Sequence, residues 1–383
     1  MPSSAGRSDM ERINVMQPWL GEEEVAAVTE VLRSGWVAQG PKVRQFEETF
    51  AARQQAPYAV AVSSCTTALH LALYVAGIGP GDEVVVPSFS FIATTNAVRY
   101  VGAEPVFADV DALTGNITAA TVEPHLTSRT RAVIAVDQGG VPVDLDPISE
   151  LCDSRRIFVL EDAACGAGST YKGRPVGAGA ETTAWSFHPR KLLTTGEGGM
   201  LTTSREDWAA RARRLREHAM SVSAAHRHTS TLAPMETYDE VGFNFRMTDL
   251  QAAVGLVQLG RLEAIIARRR LLAGRYQQAI AGIPGLRAVS DPAYGTGNFQ
   301  SFWVEVGAGY PLDREGLLAV LAQSGVSARR GIMAAHRQPP YRHLPADLPV
   351  TDRLTDSTLI LPLYHQLDEA DQDRVIDVLR RAA

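Results

Sequence analysis

Ala132-Val133-Ile134-Ala135-Val136, a helical stretch over 148–154, and Ile157-Phe158-Val159-Leu160-Glu161-Asp162 form the unit that decides the fold of this chain. A strand with one wet face alternates apolar and polar residues, whereas one buried on both faces is apolar throughout. Ala132 to Val136 and Ile157 to Leu160 are both of the second kind, with Glu161 and Asp162 following the latter. A helix between two such strands supplies the crossover that parallel neighbours need.

The same rhythm extends in both directions. Upstream, Ala59-Val60-Ala61-Val62 reads as a strand and 66–75 as a helix. Glu83-Val84-Val85-Val86-Pro87 is a strand ended by proline, 92–100 a helix and Pro105-Val106-Phe107 a short strand. Downstream, 182–187 and 199–203 read as two further strands. Two helices precede the series. One opens on Glu22, Glu23 and Glu24 and stops at Gly35; the other runs through Val43, Phe46 and Phe50. These elements predict a large domain built on a mostly parallel sheet. Beyond residue 201 the texture changes to a charged helix at 205–217, a polar loop at 221–240 and a long helix at 248–280. Phe302-Trp303-Val304-Glu305-Val306, a helix at 314–324 and a terminal helix at 371–381 make a smaller α/β domain. The expected division is a flexible N-terminus over 1–12, a large domain over 13–250 and a small domain over 251–383.

With 383 residues, 45% hydrophobic and 21% charged, the chain has material for two cores. A net charge of −6 offers no cationic field for nucleic acid or an anionic membrane. Three cysteines, Cys65, Cys152 and Cys165, are few, odd in number and outside metal spacing, which suits a reducing compartment. Residues 1–10 lack the apolar core of a secretory signal, and no run approaches eighteen apolar residues. The expectation is a cytoplasmic protein with no membrane partner.

Ligands of open parallel sheets sit beyond the carboxyl ends of the strands. Three candidates stand there. Glu161 and Asp162 follow 157–160; taken singly, such a carboxylate reads as a helix N-cap. His188-Pro189-Arg190-Lys191 follows 182–187 and precedes a glycine-rich turn, Gly196-Glu197-Gly198-Gly199. A lysine held there suits covalent catalysis, with glycines allowing close approach of a bulky ring, although a lone lysine is more often a surface residue. Ser63-Ser64-Cys65-Thr66-Thr67 follows 59–62 and opens a helix, which fits a phosphate site or an ordinary cap. Pyridoxal 5′-phosphate (PLP) needs all three: a lysine for its aldehyde, an acid for its ring nitrogen and a cradle for its phosphate.

From Ser186 to Gly199 the sequence strongly resembles the DegT/DnrJ/StrS sugar aminotransferases, a family of fold-type I PLP enzymes. Glu161-Asp162-Ala163-Ala164, Ser34-Gly35-Trp36, Gln39-Gly40-Pro41, Pro87 to Thr94, Gly242 to Met247 and Leu361-Pro362-Leu363 extend the likeness over nearly the whole chain. The resemblance implies a seven-stranded, mostly parallel sheet flanked by helices in the large domain. It implies that Lys191 carries the cofactor as a Schiff base and shuttles the proton, and that Asp162 keeps the pyridine nitrogen protonated. Cys65, Thr66 and Ser186 would hold the phosphate, Phe91 would stack on the ring and Cys165 would lie near the ring hydroxyl. Asn244 would reach the phosphate of a neighbouring subunit, making a homodimer with shared sites. Two positions depart from the pattern: Cys65 stands for the usual glycine, and Cys165 for glutamine or histidine. Trp36, Arg246, Arg330 and His336 are candidate contacts to a sugar or its diphosphate.

The activity this implies is ping-pong transfer of an amino group from glutamate or glutamine to a keto-sugar, nucleotide-linked. Transfer to a keto-cyclitol or another free ketone is an alternative. A PLP-dependent sugar dehydratase or deoxygenase would replace the lysine with histidine, and a non-catalytic regulatory relative would have shed the lysine or the acid. A nucleotide-fold dehydrogenase would need Gly-x-Gly-x-x-Gly where Ser63 to Thr67 stands. No metal site is expected.

Overall fold

The computed structural model describes residues 12–222 and 235–383. The N-terminus expected to be flexible, apart from residue 12, and the middle of the polar loop expected at 221–240 lie outside the described residues.

Helices α1 (Glu22–Ser34) and α2 (Pro41–Gln54) precede strand β1 (Tyr58–Val62). The expected alternation then follows as α3 (Cys65–Val75), β2 (Glu83–Pro87), α4 (Ile92–Tyr100) and β3 (Glu104–Ala108). A short α5 (Ala119–Val122) leads into β4 (Thr130–Val136), α6 (Leu145–Asp153) and β5 (Phe158–Asp162). A small hairpin, β6 (Thr170–Tyr171) and β7 (Arg174–Pro175), precedes β8 (Thr182–Ser186), β9 (Gly199–Thr203) and α7 (Glu206–Leu215).

Seven of these strands form one sheet in the order β1-β9-β8-β5-β4-β2-β3. β9 alone runs against its neighbours, so the sheet is mostly parallel, as the unbroken apolar runs predict. Val84, Val85, Val86, Val133 and Ile134 are fully buried, with helices covering both faces. β1 lies at the border of the sheet, and side chains rather than another strand meet its outer backbone. Ala61 N–H donates to Glu47 at 2.8 Å, Ala61 C=O accepts from Arg216 at 2.7 Å, and Ala59 C=O accepts from Arg213 at 2.9 Å. Glu47 and Arg216 also pair with each other in the interior.

The second half opens on α8 (Asp249–Ala281), capped by Thr248, whose hydroxyl accepts the Gln251 amide at 3.2 Å. Its length and apolarity would suffice to cross a membrane, but here it is a packing helix. Its first half, through Ala252, Leu259, Leu262 and Ile266, joins the core beneath α2. Its second half, through Leu272, Tyr276 and Ile280, joins a separate C-terminal core. The expected boundary at 250/251 therefore falls on the first turn of a helix that serves both halves.

After α8 come β10 (Leu286–Ala288), β11 (Gly295–Thr296), β12 (Phe302–Val306), α9 (Arg314–Gln323) and β13 (Arg329–Arg330). The chain ends with α10 (Pro349–Ser357), β14 (Thr358–Leu361) and α11 (Glu369–Arg381). β10-β12-β14-β13 is an antiparallel sheet, and β11 pairs with the β6–β7 hairpin. Ile13 bridges to Val326 and is buried in the C-terminal core, so the start of the described chain packs on its end.

Candidate active site

Strand register brings the three strand ends together. Gly199 of β9 pairs with Val62 of β1 on one side and Ser186 of β8 on the other, while Asp162 of β5 pairs with Ala184 of β8. Because β9 is antiparallel to both of its neighbours, β1, β8 and β5 point the same way. Their carboxyl ends share one edge.

Asp162 ends β5 and is 3% exposed. No helix follows it; 164–168 is a run of turns, so the helix-cap explanation does not hold. Its Oδ2 accepts the Thr94 hydroxyl at 2.8 Å, and its Oδ1 accepts the Ala164 amide at 3.2 Å and the Cys65 thiol at 3.9 Å. Burial raises this carboxyl above its usual range. The Thr94 hydroxyl, the Ala164 amide and the Lys191 charge pull it back toward ionisation.

Lys191 follows β8 and is held by its backbone. Its amide donates to His188 C=O at 2.8 Å. Gln300 clamps both neighbours, accepting the Leu192 amide at 3.0 Å and donating to Arg190 C=O at 2.6 Å. Nζ of Lys191 donates to Cys165 Sγ at 3.2 Å.

The third element is the start of α3. Ser64 caps it, accepting the Thr67 amide at 3.2 Å while Thr67 Oγ1 accepts the Ser64 amide at 3.0 Å. Cys65 and Thr66 occupy the first helical positions, where amides have no acceptor within the helix. Burial, reinforced by Asp162, holds the Cys65 thiol well above its usual pKa, so it stays neutral and does not repel an anion. The glycine-rich turn borders the cavity at Gly198 and also lets backbone pass close to backbone. A Cβ on Gly199 would lie 2.3 Å from the Ser64 carbonyl carbon, and Gly196 has φ of 82°. Glycine there lets β9 pass against the mouth of α3.

These residues surround one cavity of about 400 Å³. Cys65, Thr66, Phe91, Asp162, Cys165, Ser186, Lys191 and Arg330 of the expected set line it. Phe91, 62% exposed, caps its mouth as a bare aromatic face. Trp36, Asn244, Arg246 and His336 do not line it. Trp36 packs on Gly40 and donates Nε1 to Gln39 C=O at 3.1 Å. His336 is engaged by Ser88 at 2.7 Å and Asp352 at 3.2 Å. Asn244 is exposed and bridges by its backbone to Glu217. Three residues were not legible in the sequence. Thr94 and Gln300 act through hydrogen bonds from distant segments, and Arg329 lines the cavity from the C-terminal sheet.

Residues 18–380 match the model of the DegT/DnrJ/EryC1/StrS aminotransferase family. The chain belongs to this family. The spore coat polysaccharide biosynthesis protein SpsC of Bacillus subtilis is 41% identical over 369 residues, 95% of each chain. The aminotransferase TlmJ from Streptoalloteichus hindustanus superposes with a TM-score of 0.89 at 38% identity, over 97% of this chain and 98% of that one. Spr1654 from Streptococcus pneumoniae in its PMP form gives a TM-score of 0.91 at 27% identity, over 98% of this chain and 99% of that one. The family is PLP-dependent, and the chain is accordingly a PLP-dependent aminotransferase of the fold-type I class.

The residues present fit that cofactor. A cavity of about 400 Å³ falls within the usual size of small-molecule sites. It offers an amine at Lys191, a buried carboxyl at Asp162, an aromatic face at Phe91, and helix amides backed by the Thr66 and Ser186 hydroxyls.

Proposed function

We propose that this protein transfers an amino group from glutamate or glutamine to a keto-sugar, nucleotide-linked, by a ping-pong mechanism. The observation that carries the reading is the convergence of Lys191, Asp162 and the mouth of α3 on one cavity. Lys191 would hold the aldehyde carbon of PLP covalently, and Asp162 would pair with the ring nitrogen. The Cys65 and Thr66 amides with the Thr66 and Ser186 hydroxyls would hold the phosphate, and Phe91 would cover the ring. When bound, the cofactor supplies an electron sink and a temporary store for the transferred nitrogen.

The chain's own residues supply the rest. Thr94 and Ala164, which already donate to Asp162, offset part of what burial costs its ionised form. Lys191, once freed by the incoming amine, would take the proton from the donor α-carbon and deliver it, on its own side, to the carbon that had carried the aldehyde. Water would supply the carbonyl oxygen as the donor departs as its keto acid, its nitrogen left on the cofactor; the keto-sugar would then enter, lose its ketone oxygen as water, and Lys191 would run the same proton transfer in reverse. The likeness to a polysaccharide biosynthesis protein supports a sugar acceptor.

A homodimer is part of the proposal. Asn244 is exposed, with no hydrogen bond from its side chain among the described residues, and lies off the cavity of its own chain. Both facts suit a residue that serves a neighbour's phosphate. The three free cysteines support placement in the cytoplasm.

Borohydride treatment of the PLP-loaded enzyme should fix the label at position 191, and Lys191→Ala should abolish turnover. A Lys191→Ala enzyme with normal turnover refutes the assignment. Returning the amine-loaded enzyme to its starting spectrum with a panel of nucleotide keto-sugars and keto-cyclitols identifies the acceptor; a response only to cyclitols removes the sugar from the proposal.

A further inference from the structure

We propose that Cys165 and Lys191 form a covalent modification site, at which a hydroperoxide oxidises the thiol and the lysine amine then closes on the sulfur. The two side chains are already face to face. Lys191 Nζ donates to Cys165 Sγ at 3.2 Å, within the roughly 3–3.5 Å of a pair poised to react. Asn298 and Gln300, two residues apart, hold both backbones. Asn298 Nδ2 donates to the Cys165 C=O at 2.7 Å, and Gln300 grips either side of Lys191. Among the described residues no carboxylate lies within ion-pair distance of Lys191, so the sulfur has the amine to itself.

Of the three cysteines, this one alone is placed to react. Cys152 is fully buried on α6, away from the cavity. Cys65 lines the cavity but turns its thiol to Asp162 Oδ1 at 3.9 Å, and burial with the Asp162 charge keeps it protonated. An oxidant attacks the thiolate, not the thiol. Cys165 is part-exposed on the cavity of about 400 Å³, which admits a molecule as small as hydrogen peroxide, and its neighbour is an amine. Oxidation selects cysteines that solvent can reach and that stand beside a cation.

The chemistry balances with one peroxide. The sulfur takes an oxygen from hydrogen peroxide as the O–O bond breaks, giving a sulfenic acid and one water. A sulfenic acid condenses with a nearby nitrogen. The Lys191 nitrogen bonds to sulfur, the S–O bond breaks, and the oxygen leaves as a second water with a proton from the nitrogen. Sulfur has lost two electrons, and the peroxide has become two waters. An amine already in contact needs no encounter, so it captures the sulfenic acid before a second peroxide can carry it further. Two equivalents of an added thiol reverse the bridge, restoring both residues as the thiol becomes its disulfide. The consequence for activity rests on the aminotransferase reading above: a bridged Lys191 has no amine to hold PLP, and a lysine that already holds PLP has none to give the sulfur.

The test is peptide mapping by mass spectrometry of the full-length chain, stripped of PLP or loaded with it, after exposure to hydrogen peroxide. The stripped chain should yield a pair of peptides joined through positions 165 and 191, lighter by about 2 Da than the free peptides together. Dithiothreitol should separate them. Loading with PLP should slow the joining at least about 10-fold, because the amine is then engaged. Cys65→Gly should still join and Cys165→Ser should not. After peroxide, wild type should lose PLP binding and regain it with dithiothreitol, whereas Cys165→Ser should keep the binding it had before treatment. Cys165 oxidised with Lys191 left free overturns the site. So does a link from Cys165 to Cys65, or a stripped chain that does not react. Should Cys165→Ser not fold, the map of the wild type decides alone. A joined chain that borohydride still fixes to PLP leaves the bridge standing and sinks Lys191 as the cofactor lysine.

Discussion

Thr94 and Asp162 are joined by a 2.8 Å hydrogen bond across 68 residues of sequence. The donor comes from α4 and the acceptor from the end of β5, so the bond exists only once the sheet is assembled. It works against burial, which favours the neutral acid. Under the proposed pairing with the ring nitrogen, Asp162 must be ionised. Thr94→Val should therefore weaken PLP binding about 10-fold, while Thr94→Ser stays near wild type. Spectroscopic titration of the cofactor measures both. Equal affinity in Thr94→Val would show that Asp162 does not depend on this donor.

Gln300 is a positioning residue for Lys191. Removing its amide in Gln300→Ala leaves the Leu192 N–H and the Arg190 C=O without their partner. The expected cost is about 1–3 kcal/mol in thermal unfolding. Turnover should fall about 10-fold or more at saturating substrates, because a small displacement of the reacting amine is costly. A variant that loses stability but keeps its turnover would assign Gln300 to folding alone.

Glu161 is buried beside Asp137 and Asp162, and burial pushes its carboxyl up to about 7. The unfolded chain releases this proton near the ordinary glutamate value of 4.5, while the folded chain keeps it to about 7. The contribution to stability is thus fully present below the unfolded pKa and lost as pH rises through that interval. Glu161→Gln, which cannot ionise, should gain on the wild type by on the order of 2–3 kcal/mol between pH 4.5 and 7.5. Denaturant melts of both proteins across that range measure it; parallel curves would place the proton elsewhere.

His336 belongs to the scaffold. Burial lowers its pKa, and its ring lies between Ser88 and Asp352. His336→Ala should lower stability by about 1–2 kcal/mol and leave the half-saturating concentrations of both substrates within about twofold of wild type. A large rise in acceptor half-saturation at unchanged stability would restore it as a substrate contact.

What could be read from the residues followed from how each element is stabilised. Val84 to Val86 and Ala132 to Val136 declare themselves as strands because both faces are buried and no polar residue interrupts them. The β6–β7 hairpin, β11 and β13 have two residues each and draw their pairing from partners distant in sequence, so no local pattern marks them. α10, a mixed polar stretch from Pro349 to Ser357, is likewise silent. The site divides in the same way. Lys191, Asp162 and Cys65 stand at strand ends, where position alone makes them candidates. Gln300 and Arg329 reach the cavity only because the C-terminal half folds back over it. The glycines of the turn at 196–199 were visible, but the close passage of Gly199 against Ser64 was not, since Ser64 lies far away in sequence.

The side chains of Glu47, Arg213 and Arg216 along β1 have a consequence for how molecules of this protein can meet. A bare sheet margin is a template on which a foreign strand can be grafted, rung by rung, into fibres. Here the rungs at Ala59 and Ala61 are already taken, two of them by a charge pair that no incoming peptide could displace cheaply. Copies of the chain that associate on this side must therefore do so through surface shape and side-chain chemistry rather than by adding strand to strand.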